Sequence, residues 1–216
     1  MIEQYFKVGM RLKWTKPRDN AGPADGSVCT SRGAANLMTY DGMDDKVVSP
    51  VSIANFSYIT KNLNIQHGWL DYAPGRTAVV KMGRNDILTG YMSGCLLATY
   101  EAEGARFAAH VGTIDGNAAK NNAVRHTFGA DLAANATGFN PASAWADTEV
   151  RAALPGLGTR TRERIFGIIT TEGAFYSLLL GSLVTAQDEW VVAGLKPCQG
   201  MPNAQLKKAL MEVAVA

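Results

Sequence analysis

Apolar residues along the chain fall mainly into short runs separated by turn residues, and only a few segments show helical spacing. Such runs, rich in β-branched and aromatic residues, are typical of β-strands. We predict strands at residues 47–59, 77–82, 88–92, 95–100, 106–111, 164–170, 174–185 and 190–195. Residues 15–36 carry three glycines and two prolines among small polar residues, which predicts a long surface loop.

Helical spacing is confined to three segments. Residues 117–128 lie between two glycines, residues 144–154 end before a proline, and the segment from Asn203 places leucines on one helical face. Because strands outnumber helices in an irregular order, we predict an α+β fold of packed mixed β-sheets, sandwich-like, with flanking helices. A length of 216 residues without a convincing linker predicts a single domain, residues 1–216.

Charge and hydropathy narrow the possible partners. The 21 basic and 19 acidic residues leave a net charge of +2, too small for the phosphate contacts of a nucleic-acid binder. No apolar run approaches the roughly 20 residues of a membrane span, and residues 1–7 lack the organisation of a Sec signal peptide. We expect a soluble protein with no nucleic-acid and no membrane partner. Arg160, Arg162 and Arg164 would share one face of an extended segment, which we interpret as solvated.

Two of the predicted strands flank the polar segment 101–104, which predicts a hairpin with a four-residue loop. Tyr100 would then pair with Ala105, and Cys95 would lie directly opposite His110. Side chains opposite each other on one face have Cβ atoms ~4.5–5.5 Å apart, so sulfur and imidazole could touch. A register error of two residues would leave them diagonal neighbours, whereas an error of one would place them on opposite faces.

A cysteine beside a histidine is typical of nucleophilic catalysis. An adjacent imidazolium lowers the pKa of the thiol, so that an ion pair forms near neutral pH, and the histidine can return its proton to a leaving amine. Gly94 would let the backbone approach a substrate carbonyl, and the Cys95 amide is a candidate oxyanion-hole donor. The same two residues could instead be a buried thiol and a core histidine.

The remaining cysteines and histidines show weaker patterns. Cys29 and Cys198 have no histidine at a comparable spacing, and we interpret them as incidental. The three cysteines lack the close pairing that metal sites favour, so no metal is expected. We predict that His67 and His126 are surface or capping residues.

Ser93-Gly94-Cys95 followed fifteen residues later by His110 resembles the catalytic signature of the cytotoxic necrotizing factor deamidases. Thr89, six residues before the cysteine, adds the threonine of the Cys-His-Thr arrangement of Burkholderia lethal factor-like proteins and chemoreceptor deamidases. The chain is also close to Burkholderia lethal factor in size. Met92 stands where the necrotizing factors typically have leucine, an apolar exchange.

The resemblance implies a protein-glutamine deamidase (a glutaminase acting on protein side chains) with Cys95 as nucleophile and His110 as proton partner. Thr89, rather than Asp86, would hold the imidazole through its hydroxyl or carbonyl. No cofactor is implied. By the same resemblance the protein would be a bacterial toxin or effector, exported and active in the host cytosol on a host protein such as a translation or signalling factor.

Two alternatives remain open at this point. The same pair could serve a cysteine protease or acyltransferase, which analysis of the product would distinguish from a deamidase. The chain could also be a non-catalytic binding protein with a buried thiol. The sequence leaves the target protein, the export route, the oligomeric state and the preference for water over an amine acceptor undetermined.

Overall fold

The computed structural model describes residues 1–14, 17–19, 22–31, 33–40, 42–43, 58–59, 63–130, 132, 135–153, 159–183 and 189–212. Its strands are β1 Arg11–Lys13, β2 Val28–Thr30, β3 Gly33–Tyr40, β4 Gly42–Met43, β5 Tyr58–Ile59, β6 Leu63–Leu70, β7 Thr77–Lys81, β8 Ile87–Tyr91, β9 Leu96–Ala102, β10 Ala105–Val111, β11 Thr137–Phe139, β12 Thr159–Ile169, β13 Phe175–Leu183, β14 Glu189–Cys198 and β15 Met201–Pro202. Its α-helices are α1 Ala118–Ala130, α2 Asp147–Ala153 and α3 Asn203–Met211, and 3₁₀ turns cover Ile2–Tyr5 and Pro141–Ala144.

One sheet closes into a barrel in the order β1-β14-β13-β12-β8-β6-β3. Its strands pair antiparallel except β6 and β8, which run parallel. Large apolar side chains fill the inside, including Leu12, Trp14, Trp69, Leu88, Phe166, Ile168, Leu178 and Trp190. Closure leaves the barrel without a sheet edge, and its filled interior makes it a packed core.

The second sheet has the order β15-β11-β9-β10-β7-β2. Successive residues of a strand face opposite sides, so β9 and β10 each contribute to two cores. One face packs beneath α1 and α3, through Leu96, Ala98, Ala109, Val111, Val124, Phe128, Leu206 and Leu210. The other face packs against the barrel, through Cys95, Leu97, Ala108, Ile87 and Ile169. The residues predicted to carry chemistry lie in this second interface.

The predicted α+β fold of packed mixed sheets with flanking helices is confirmed, with one of the two sheets closed into a barrel. The helices predicted at 117–128, 144–154 and from Asn203 correspond to α1, α2 and α3. Helix α1 continues through Gly129 because that residue lies against α3, where a Cβ would come within 3.2 Å of the Leu210 Cβ. In the described residues no helix is both long and apolar enough to cross a membrane.

The predicted surface loop over residues 15–36 is wrong where β2 and the start of β3 form. β2 pairs in parallel with β7, and β3 pairs with both β1 and β6. These long-range pairings override a local composition that disfavours strands. Of the strand predicted at 47–59, only β5 lies within the described residues. Strand β6, which the sequence analysis did not predict, forms between β3 and β8.

Candidate active site

The β9–β10 hairpin has a shorter loop than predicted. Ala102 pairs with Ala105, which leaves only Glu103 and Gly104 between the strands. Both loop residues have positive φ, 51° and 69°, as a type I′ turn requires, and the twist of that turn matches the twist of the strands. The prediction of a four-residue loop is therefore wrong by one residue on each strand.

The shorter loop shifts the register by two residues, so His110 lies opposite Leu97 and not opposite Cys95. A shift of two preserves the face of the sheet. Cys95, which immediately precedes β9, packs in the same apolar cluster as Leu97 and Ala108, between the sheet and the barrel. The cysteine and the histidine are thus diagonal neighbours on one face.

His110 is completely buried, and its Nδ1 lies 2.9 Å from the Thr89 hydroxyl oxygen. Thr89 belongs to barrel strand β8, so this hydrogen bond joins the two sheets. The competing partner is engaged elsewhere: the Asp86 carboxylate accepts from the backbone N–H groups of Ile2, at 2.6 Å, and Thr171, at 2.7 Å. The expected contact between Thr89 and the imidazole is present, and its catalytic role stays a prediction.

The other imidazole nitrogen, Nε2 of His110, is buried and has no hydrogen-bond partner among the described residues. Leaving a buried polar atom unpaired costs roughly 1–3 kcal/mol, and a substrate group or a water molecule that reaches Nε2 would remove that cost. Burial lowers the pKa of His110 to about 3, although the backbone and the carboxylate of Asp71 act to raise it. The ring is therefore neutral near pH 7. If Nδ1 donates its proton to Thr89, Nε2 carries the lone pair that a general base needs.

The sulfur of Cys95 contacts Thr113 rather than His110. It lies 3.4 Å from the Thr113 hydroxyl oxygen and accepts a hydrogen bond, also 3.4 Å long, from the Thr113 amide. Burial raises the pKa of Cys95, and the contacts with Thr113 oppose that rise. The expected resting ion pair is not found: with a raised thiol pKa and a lowered imidazole pKa, both groups are neutral.

Tyr72 connects the two halves of the site. Its hydroxyl donates a 2.6 Å hydrogen bond to the Thr113 carbonyl, and its ring lies 5.5 Å from the imidazole of His110, tilted by 40°. Burial raises the pKa of Tyr72 to about 12, so the phenol stays protonated and remains a donor. The hydrogen bond from Tyr72 holds Thr113, which contacts the sulfur, in place. The ring of Tyr72 covers one side of the imidazole.

A cleft of about 670 Å³ leads to this site, which is within the range of small-molecule and side-chain binding pockets. Cys95 and Tyr72 line it, together with Ser93, Trp145 and Arg164, whereas His110 does not. A ligand entering the cleft would therefore meet the sulfur before the imidazole. Arg164, predicted to lie on a solvated face, instead contributes to the cleft. For Arg160 and Arg162, also on β12, the structure describes the backbone alone.

Gly94 leaves open space beside the sulfur. A Cβ built on Gly94 would meet only the Thr113 hydroxyl, at 3.5 Å, which is an ordinary contact. Its carbonyl accepts a 3.1 Å hydrogen bond from Nη2 of Arg125, a residue of α1. Sequence reasoning missed Tyr72, Thr113 and Arg125, because each acts through a backbone group or a contact that only the tertiary structure brings together.

The prediction for His67 is wrong. It lies completely buried in the barrel, with its ring 6.1 Å from Trp14 and 6.5 Å from Trp69. Burial lowers its pKa to about 4. The inward position was not recognised because strand β6, which carries His67, was not predicted. His126 matches its prediction, since its Nε2 lies 3.3 Å from the carbonyl of Met211 at the end of α3.

The other two cysteines, Cys29 and Cys198, are half-buried free thiols at separate places in the fold, on β2 and at the end of β14. In the described part of the chain, no group of three or more histidine, cysteine, aspartate or glutamate side chains is placed to hold a metal ion. A comparison with protein-family models gives no match, and no curated protein matches the chain significantly.

Proposed function

We propose that this protein is a cysteine-dependent amidohydrolase that deamidates glutamine side chains on a protein substrate. The observation that carries the proposal is the state of His110. One nitrogen is fixed by the buried Thr89 hydroxyl, the other has no hydrogen-bond partner among the described residues, and Cys95 lies on the same sheet face and lines a cleft. The order and spacing of these three residues, which resemble the Cys-His-Thr deamidases, provide independent support.

The first half of the reaction is acylation. A glutamine side chain enters the cleft, and the Cys95 sulfur attacks its δ-carbon while the thiol proton moves to Nε2 of His110. Because no hydrogen bond joins the sulfur to Nε2 in the free protein, the sulfur must shift from Thr113 towards the imidazole when substrate binds. Catalytic hydrogen bonds commonly tighten in this way only in the substrate complex. The carbonyl oxygen becomes an oxyanion, and the Cys95 amide is its proposed donor.

The second half releases the products. The imidazolium of His110 gives its proton to the departing nitrogen, the C–N bond breaks, and ammonia leaves a thioester on Cys95. A water molecule then gives a proton to Nε2 as its oxygen attacks the thioester carbon. Collapse of that intermediate expels the sulfur, which recovers the proton and leaves glutamate on the substrate. A primary amine in place of water would give transglutamination.

Thr89 has a defined part in both halves. The imidazolium forms in a completely buried position, where a charge without compensating contacts is unfavourable. A hydroxyl oxygen that accepts from Nδ1–H stabilises that charge and keeps the ring from rotating. Thr89 is thus a positioning residue for His110, as the third member is in other triads.

The resemblance to the Cys-His-Thr deamidases also suggests a biological setting. It implies a bacterial toxin or effector that is exported and acts on a host protein such as a translation or signalling factor. The proposed substrate is a protein that presents an accessible glutamine side chain.

The test is incubation of the protein with host-cell lysate, followed by a proteome-wide search for Gln-to-Glu conversion by mass spectrometry. The Cys95→Ala variant is the inactive control, and Cys198→Ala controls for loss of a half-buried thiol that does not line the cleft. We expect conversion with the parent and with Cys198→Ala only. Peptide cleavage instead of conversion would identify a protease, and no covalent change in any protein would contradict the proposal.

A further inference from the structure

Arg125, on α1, contacts the backbone directly before Cys95. It follows Val124, which is buried in the core between α1 and the second sheet, so its backbone position is fixed. Its Nη2 donates to the Gly94 carbonyl oxygen at 3.1 Å. Its Nε is buried and has no hydrogen-bond partner in the described part of the chain, and no ion pair of Arg125 occurs there either. Within the described residues, the guanidinium therefore forms no salt bridge.

The carbonyl that Arg125 holds belongs to the peptide group whose N–H is that of Cys95. The described chain contains no cis peptide bond, so this C=O and this N–H point in opposite directions in one plane. Fixing the carbonyl direction fixes the direction of the Cys95 N–H. A charged donor on the carbonyl also polarises the peptide and makes its N–H a stronger donor.

We propose that Arg125 is a positioning residue that aligns and strengthens the Cys95 amide as the oxyanion donor of the reaction. The role rests on the proposed deamidase function, but its structural part, the polarised Gly94–Cys95 peptide, exists without substrate. Oxyanion donors must be in place before the charge develops, because reorientation during the reaction would forfeit their effect. A half-buried helix residue linked to the peptide by a charged hydrogen bond provides such fixed alignment.

Arg125 also lies close enough to favour the thiolate of Cys95, since its positive charge opposes the rise in the pKa of that thiol. A variant without the charge could therefore lose activity for either reason. The two effects separate by pH. A change in thiol pKa is removed when turnover is divided by the fraction of thiolate, whereas a misaligned oxyanion donor lowers turnover at every pH.

The variants are Arg125→Met, which keeps the bulk of the stem, and Arg125→Lys, which keeps the charge. Lys120→Met removes an exposed charge from the same helix and is the matched control. Without substrate, the Cys95 amide resonance is followed in ¹⁵N-labelled protein. We expect an upfield shift of the nitrogen in Arg125→Met, a smaller shift in Arg125→Lys and none in Lys120→Met. An unshifted resonance in Arg125→Met would overturn the proposal, whether or not the protein is a deamidase.

With a glutamine peptide that the parent accepts, Arg125→Met should lower kcat about 10-fold or more with little change in KM, because complete loss of one oxyanion donor costs about 10²–10³-fold. The thiolate fraction is taken from the pH dependence of Cys95 alkylation by iodoacetamide. A deficit that remains after this correction supports alignment, and a deficit that vanishes contradicts it. If Arg125→Met does not fold, the amide resonance and the corrected turnover are measured on Arg125→Lys instead.

Discussion

The hydrogen bond between Thr89 and His110 can be removed almost without changing shape, by Thr89→Val. Valine replaces the hydroxyl with a methyl group and leaves Nδ1 of a completely buried ring without an acceptor. An unpaired buried polar group costs roughly 1–3 kcal/mol, so the free energy of unfolding should fall by about that amount. For a domain of this size the melting temperature would fall by about 2–4 °C per kcal/mol.

The effect on rate follows from the charge that develops on the imidazole. A hydrogen bond to a neutral group contributes about 0.5–1.5 kcal/mol and one to a charged group about 1.5–3 kcal/mol. Since His110 is neutral at rest and cationic in the transition state, the difference of roughly 1–1.5 kcal/mol acts on kcat. That corresponds to about a 5–13-fold decrease, with KM little changed. Any rotation of the unanchored ring would add to it.

The assay is ammonia release from a glutamine peptide, run beside chemical denaturation of each variant. Thr89→Ser retains the hydroxyl and should keep most of the rate. Thr77→Val is the matched control, because Thr77 is equally buried and its hydroxyl has no hydrogen-bond partner in the described residues. That change removes an unpaired hydroxyl, so it should leave turnover intact and should not lower the free energy of unfolding. Parental kcat in Thr89→Val would refute the assigned role of the threonine hydroxyl.

Three further predictions concern the same site and the barrel. Cys95→Ser should abolish turnover while the fold persists, because histidine cannot ionise a serine hydroxyl as it can a thiol. The control Cys198→Ser should keep the parental turnover. Ammonia release by Cys95→Ser would exclude Cys95 as the nucleophile. Gly94→Ala should fold normally, since its Cβ meets only an ordinary contact, yet lower turnover by occupying space beside the sulfur; unchanged kcat/KM would show that substrate does not approach there. Burial lowers the pKa of His67 to about 4 and that of His110 to about 3, from an ordinary value of 6.5, so the unfolded chain binds these protons first. Stability should therefore be full above about pH 6.5 and fall as the pH is lowered towards 4, and His67→Phe should reduce the slope; an unchanged slope would contradict the neutral buried state of that ring.

The sequence predicted the strands that carry the site better than it predicted their register. Apolar runs bounded by turn residues identified β9 and β10, and the polar segment between them identified the turn. The turn has two residues because Glu103 adopts a positive φ, which non-glycine residues seldom do. The error preserved the face of the sheet, so Cys95 and His110 still share the interface with the barrel.

Contacts between the two sheets were beyond reasoning from local pattern. The contact of Thr89 with His110 was expected only through the resemblance, because it joins strands of different sheets. Tyr72 and Arg125 act on backbone carbonyls, and any residue type can supply a carbonyl, so no sequence signal marks their targets. His67 was misplaced for a related reason: its burial depends on the closure of a barrel whose strands pair over long distances.

The central claim is that Cys95 forms a thioester with the δ-carbon of a substrate glutamine. The direct measurement is acid quenching of the parent protein during turnover of a glutamine peptide, followed by intact-mass and peptide-level mass spectrometry. The account predicts an adduct on Cys95 equal in mass to the peptide minus ammonia, which hydroxylamine removes and which does not form in Cys95→Ala. An adduct on a different residue, or a parent protein that releases ammonia when Cys95 is blocked by iodoacetamide, would contradict it.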